Sequence, residues 1–323
     1  MEQQNRQTPP QRYPESPGKS LWRIISPLVV QFGISMIMSM IIGAVFGVMY
    51  LMNHYGITED ILHNPVQLQS ISEQILNDSK AVAQDMQKQL YRYGAFTQGL
   101  TALVTIPFLA VMFHRDRIRE KIKGFALNKK VALWKYPAVL ILGGSLCVGL
   151  NNLMLIGNIS TIGEEYVEMM EALYSAPFIV QVVSLAILVP LCEELVFRGL
   201  IFKRIRETSS FRRAAFHSAL IFGLMHMNLV QTLYGFAMGM VFAYVYEKYG
   251  SIKAPVAAHM TANFISVAGT QLQWFRWMEE APMRMGVATV IAATVAATMY
   301  VLIQRIEEAP DLPETVDEES LAE

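Results

Sequence analysis

Long apolar runs separated by short charged connections govern what this chain can fold into. A bilayer core about 30 Å thick is crossed by roughly 20 apolar residues in helix, because a helix satisfies its own backbone N–H and C=O groups. Eight stretches approach that requirement: Pro27 to Met52, Ala95 to Phe113, Pro137 to Gly157, Phe178 to Leu200, Ala214 to Leu229, Gln231 to Tyr246, Ala254 to Leu272 and Met283 to Ile303. The 323 residues are 53% hydrophobic and 16% charged, where a soluble domain carries about 25% charged residues. The predicted fold class is therefore all-α: a polytopic transmembrane helical bundle with about eight spans.

Charge alternates from one connection to the next. Arg115, Arg117, Arg119, Lys121, Lys123, Lys129, Lys130 and Lys135 crowd the second connection, whereas the third, around Glu164, Glu165, Glu168 and Glu171, has no basic residue. Lys203, Arg204, Arg206, Arg212 and Arg213 follow in the fourth, and Lys248 with Lys253 in the sixth. Because short cytoplasmic connections retain Lys and Arg, both termini are expected on the cytoplasmic side of a cell membrane, in a layout that looks bacterial. Membrane lipid is the surrounding partner, the oligomeric state is not readable, and a net charge of -1 split into local blocks gives no support to a nucleic-acid partner. Cys147 and Cys192 lie in separate apolar runs and read as core thiols.

The expected organisation is a disordered polar tail at 1–20, two spans within 21–135 and a membrane core over 136–304. An acidic tail at 305–323 completes it. The external loop 53–94 repeats apolar residues partly at helical spacing, so one or two amphipathic helices are expected there.

Ionisable side chains inside a bilayer cost at least about 2.5 kcal/mol each, so each needs a partner or a purpose. They concentrate in the fourth, fifth and seventh segments. The fourth ends in Glu193-Glu194-Leu195-Val196-Phe197-Arg198. Glu194 and Arg198 stand four apart in the favourable order for a helical ion pair, while Glu193 is turned about 100° away. Glu193, free of that pair, suits general-base work. The fifth segment carries Phe222 and His226 four apart, and the seventh His259 and Asn263 at the same spacing. A lone His or Asn in a span often serves as interhelical glue, but four polar groups aimed inward from three segments point to a polar intramembrane cavity. His217 falls about half a helical rotation from His226 and is left out. The twenty methionines read as packing.

The ordered set EExxxR (Glu193, Glu194, Arg198), FxxxH (Phe222, His226) and HxxxN (His259, Asn263) resembles the CAAX prenyl protease and bacteriocin-processing family of intramembrane proteases, over roughly 178–272. That resemblance implies hydrolysis of a peptide bond in a membrane-associated peptide or protein, inside a cavity open towards the cytoplasm. Glu193 and His226 would activate water, His259 and Asn263 would stabilise the oxyanion, and Glu194 with Arg198 would position Glu193. It leaves two cofactor states open: none, or zinc held by Glu193, His226 and His259. The rival reading is a non-proteolytic membrane adaptor that regulates a partner such as a sensor kinase. One tension is visible in the numbering. Counted from the basic flanks, Glu193 sits about 8 Å and His226 about 20 Å along their helices, so the fifth segment must be tilted, broken, or begin along the surface near Thr208 to His217. The last is the expected solution.

Overall fold

In the computed structural model, which describes residues 17–122, 127–128, 130–157, 164–307 and 310–311, helix accounts for nearly every regular element. In chain order these are α1 (Pro17–His54), α2 (Glu59–Leu62), α3 (Pro65–Asn77), α4 (Ser79–Arg92), α5 (Gly94–Ile122), α6 (Tyr136–Ile156) and α7 (Glu164–Tyr174). There follow α8 (Phe178–Arg206), α9 (Phe211–Leu224), α10 (Leu229–Tyr249), α11 (Lys253–Gln271), α12 (Trp274–Glu279) and α13 (Pro282–Gln304). A two-residue antiparallel pairing joins Leu127–Asn128 to Pro310–Asp311. The all-α bundle stands as read from the sequence, and segment 53–94 holds three helices, α2 to α4, where one or two were expected. Most of the two expected tails lies outside the described residues, although α1 already begins at Pro17.

Among the described residues, six helices are long and apolar enough to cross a bilayer: α1, α5, α6, α8, α10 and α13. The expected eight included two more, and both differ for physical reasons. The fifth segment, expected to run to Leu229, stops at Leu224 after 14 residues, about 21 Å of rise against a 30 Å core. The seventh, α11, has 19 residues, but His259, Thr261, Asn263, Ser266 and Thr270 dilute its apolar character. These two helices need protein around them more than lipid. Accordingly α9 packs along α10, and α11 is sandwiched against α6 and α8.

Close approach is made by small residues. A Cβ at Gly143 of α6 would stand 2.2 Å from the Ala258 carbonyl oxygen of α11, and one at Gly223 of α9 would stand 2.5 Å from the Thr232 carbonyl oxygen of α10. Both glycines let backbones touch where any side chain would hold them apart.

The α9–α10 hairpin turns at Met225–Asn228. Met227 adopts φ +57°, a conformation unfavourable for a residue with a Cβ. Asn228 then caps α10, its side-chain oxygen accepting from the Gln231 N–H at 2.8 Å. His226 lies on this turn, two residues past the end of α9.

Ion pairs gather at one end of the bundle. Arg23 of α1 meets Glu207 at 3.0 Å, Lys203 of α8 meets Glu120 of α5 at 3.6 Å, and Arg206 meets Glu247 of α10 at 2.9 Å. Arg204 pairs with Asp116 in the same belt.

Candidate active site

The long helix α8 carries the first motif, and its backbone is not uniform. Val182–Leu188 and Leu195–Phe202 are wound in the wider π register, with six α-helical residues, Val189–Glu194, between them. Such wide turns recur at functional sites because they redirect side chains without ending the helix. Here they have a traceable consequence. The Val189 N–H reaches back to the Ser184 carbonyl, and in the same i→i+5 register the Leu185 carbonyl would look to residue 190. That residue is Pro190, which has no N–H to give. Asn263 of α11 fills the gap, donating from Nδ2 to the Leu185 carbonyl at 2.8 Å.

Glu194 and Arg198 form the expected pair, Arg198 Nη1 donating to Glu194 Oε1 at 2.9 Å, with both side chains fully buried. Phe222 of α9 and Phe242 of α10 sandwich the guanidinium, their ring centres 4.5 and 5.3 Å from its central carbon. The same Glu194 oxygen receives His259 Nδ1 at 2.8 Å. A carboxylate can only accept, so Nδ1 carries a proton and Nε2 points away, 3.6 Å from Glu193 Oε2. Glu193 is the more exposed carboxylate of the two, at 19% of its side chain.

His226 is fixed by the turn it sits on. Its Nδ1 lies 3.0 Å from the Phe222 carbonyl, an acceptor, so Nδ1 carries the proton and Nε2 keeps its lone pair. Asn228 Nδ2 donates to the His226 carbonyl at 3.0 Å, and the Phe222 ring stands edge-on to the imidazole, 5.1 Å between centres. Glu193, His226, His259 and Asn263 all line one cavity of about 410 Å³. Among the described residues no hydrogen bond or ion pair joins His226 to Glu193, so any coupling between them passes through what occupies the cavity. His217 lies apart, exposed, its Nδ1 on the Arg213 carbonyl.

Residues that the motifs do not include complete the site. Phe242 lies 4.9 Å from His259, ring centre to ring centre, and bridges it to Arg198. Nothing in the apolar sequence of α10 marks that position. Asn228 had a local signal, an Asn just before an apolar run. Met154, Met169, Met170 and Met238 line the cavity, so part of the methionine complement does more than fill gaps.

Among the described residues no three His, Cys, Asp or Glu side chains converge as a metal site. His259 Nδ1 and His226 Nδ1 are turned to Glu194 and to a carbonyl, which leaves each Nε2 as the nitrogen that could ligate a metal. With the Glu193 carboxylate on the same cavity, these are the residues that would hold a zinc ion.

Residues 175–265 match the family described as type II CAAX prenyl endopeptidase, Rce1-like. This segment is similar to the family that the three sequence motifs resemble. The chain is also 37% identical over 90 residues to a Bacillus subtilis protein named "Putative membrane peptidase YdiL"; the alignment takes in 26% of this chain and 37% of the relative's length. No solved structure matches. The match begins just before α8 and ends two residues after Asn263, so it contains every motif residue and none of α1 to α6.

Proposed function

We propose that this chain is an intramembrane endopeptidase in which Glu193 and His226 activate the attacking water. A water between the Glu193 carboxylate and His226 Nε2 gives up its proton as its oxygen attacks the carbonyl carbon of the scissile bond. The carbonyl π electrons move onto oxygen. When the tetrahedral intermediate collapses, the C–N bond breaks and the abstracted proton passes to the departing amine. His259, in its protonated form, offers Nε2–H to the oxyanion, and Asn263 offers the second N–H of its amide, the first being held by Leu185. Glu194 and Arg198 are positioning residues: they orient His259 and keep a neutralised pair beneath Glu193.

One observation carries this reading: a partly exposed carboxylate and two imidazoles whose proton-bearing nitrogens are already engaged, all bordering the same cavity. Nε2 of each imidazole is thereby left for substrate or water. The alternation of basic connections supports a cytoplasmic location for the ion-pair belt and both termini. Purified protein in detergent or nanodiscs, incubated with a peptide library, should release new peptide termini. His226→Ala and His259→Ala should each lower the rate at least about 100-fold while remaining folded. An unchanged library with the intact protein would count against proteolysis and return weight to an adaptor role.

A further inference from the structure

We infer that the cavity is entered from the face opposite the basic ion-pair belt, and that the segment it receives is uncharged and presented on the translocated side of the membrane. The substrate part of this inference rests on the proteolytic reading; the direction of entry does not.

Depth can be read along the helices from a common level. A Cβ at Gly199 of α8 would meet Phe113 of α5 and Ile252 at the start of α11, which puts these three residues side by side. The belt formed by Asp116, Glu120, Lys203 and Arg204 lies on one side of that level. On the other side, Glu193 stands about 9 Å away along α8 and Gln98 about 22 Å away along α5. Gln98 is exposed and lines the cavity, together with Asn151 and Met154 in the last two turns of α6 and Gln231 in the first turn of α10. α6 starts, and α10 ends, at the basic end. The cavity therefore runs from Glu193 away from the belt.

The opposite route is filled. Arg198, Phe197, Leu200, Phe202 and Phe242 are at most 2% exposed, and they occupy the interior between Glu193 and the belt. Access from the basic face, which family resemblance had suggested, would require that packed layer to open.

The lining also restricts chemistry. Among the described residues, Glu193 is the only carboxylate on the cavity wall and no Lys or Arg reaches it. Residues 158–163, next to the cavity end of α6, contain no basic residue either. An acidic segment would face Glu193 with no counter-charge. A lysine would bind the carboxylate that must stay free to take a proton. Amide and thioether groups of Asn151, Gln231, Met154 and Met170 suit a neutral, partly apolar segment instead.

The test uses the full chain in cells and in vesicles of both orientations. Met170→Cys and Gln98→Cys, each with Cys147 and Cys192 replaced by Ala, are probed with a membrane-impermeant maleimide, and Arg115→Cys, exposed beside Asp116 of the belt, serves as the control on the other face. Met170→Cys and Gln98→Cys should label in intact cells and Arg115→Cys only in inverted vesicles; the reverse pattern overturns the direction of entry. An impermeant neutral quenched-fluorescent peptide library should be cleaved at least tenfold faster by right-side-out than by inverted vesicles. Cleavage only in inverted vesicles sinks the inference and keeps the protease. Outside labelling with no cleavage in either orientation sinks the protease and leaves the cavity's direction intact. Should one cysteine variant fail to fold, the other carries the same readout.

Discussion

Helices α1 and α8 are almost equally apolar, with mean hydropathy of 2.2 and 2.0 over their best windows, yet 6% of that window is buried in α1 and 50% in α8. Hydropathy says that both can lie in a membrane. It does not say which one meets protein. The difference comes from what α8 carries: two carboxylates, a guanidinium and Pro190 must be wrapped by α5, α9 and α11, while α1 exposes Met36, Ile37 and Met40 to the surroundings. Polar content, not apolar content, marks the interior of this molecule, as expected where lipid and Leu are equally apolar.

The largest way to break that contrast is to strip the centre of α8. Arg198→Ala leaves Glu194 as an uncompensated buried charge and should cost about 3–5 kcal/mol, visible as a collapse of the thermal unfolding temperature in detergent. Pairing it with Glu194→Leu should cost much less than the sum of the two single changes, because the charges then leave together. Additive losses would mean that the pair is not coupled as described.

A smaller effect tests the π-wound backbone. Asn263→Leu strands the Leu185 carbonyl and should destabilise by about 1–3 kcal/mol. Adding Pro190→Ala restores an N–H at the position that the wide turn addresses, so the double variant should recover part of that stability without recovering activity. If Pro190→Ala leaves Asn263→Leu as unstable as before, the origin given for this contact is wrong.

How far such features were readable in advance depends on range. The Glu194–Arg198 pair follows from spacing within one helix, and it formed as spaced. The inward aim of His226, His259 and Asn263 followed from the cost of exposing them to lipid. By contrast, the Asn263–Leu185 contact needs the register of a helix 78 positions away in sequence, and periodicity carries no such information. The stop at Leu224 was hidden for a similar reason. Leu229 and Val230 continue the apolar run past the turn, and the left-handed residue there is Met227, not a glycine or asparagine that would have announced it. Phe242 looked like any other aromatic residue in an apolar helix.

At the weak end of the comparison, Met36→Ala and Ile37→Ala in α1 should each change stability by less than about 0.5 kcal/mol, measured by the same unfolding assay. A loss comparable with that of Asn263→Leu would show α1 to be held by contacts its exposure does not reveal.

The most direct test of the account is a single atom replacement at the cavity wall. Glu193→Gln keeps the shape and removes the proton acceptor, so purified variant should unfold at the same temperature as the parent and cleave peptide at least about 100-fold more slowly. A folded Glu193→Gln protein that hydrolyses peptide within a few-fold of the parent rate would contradict it.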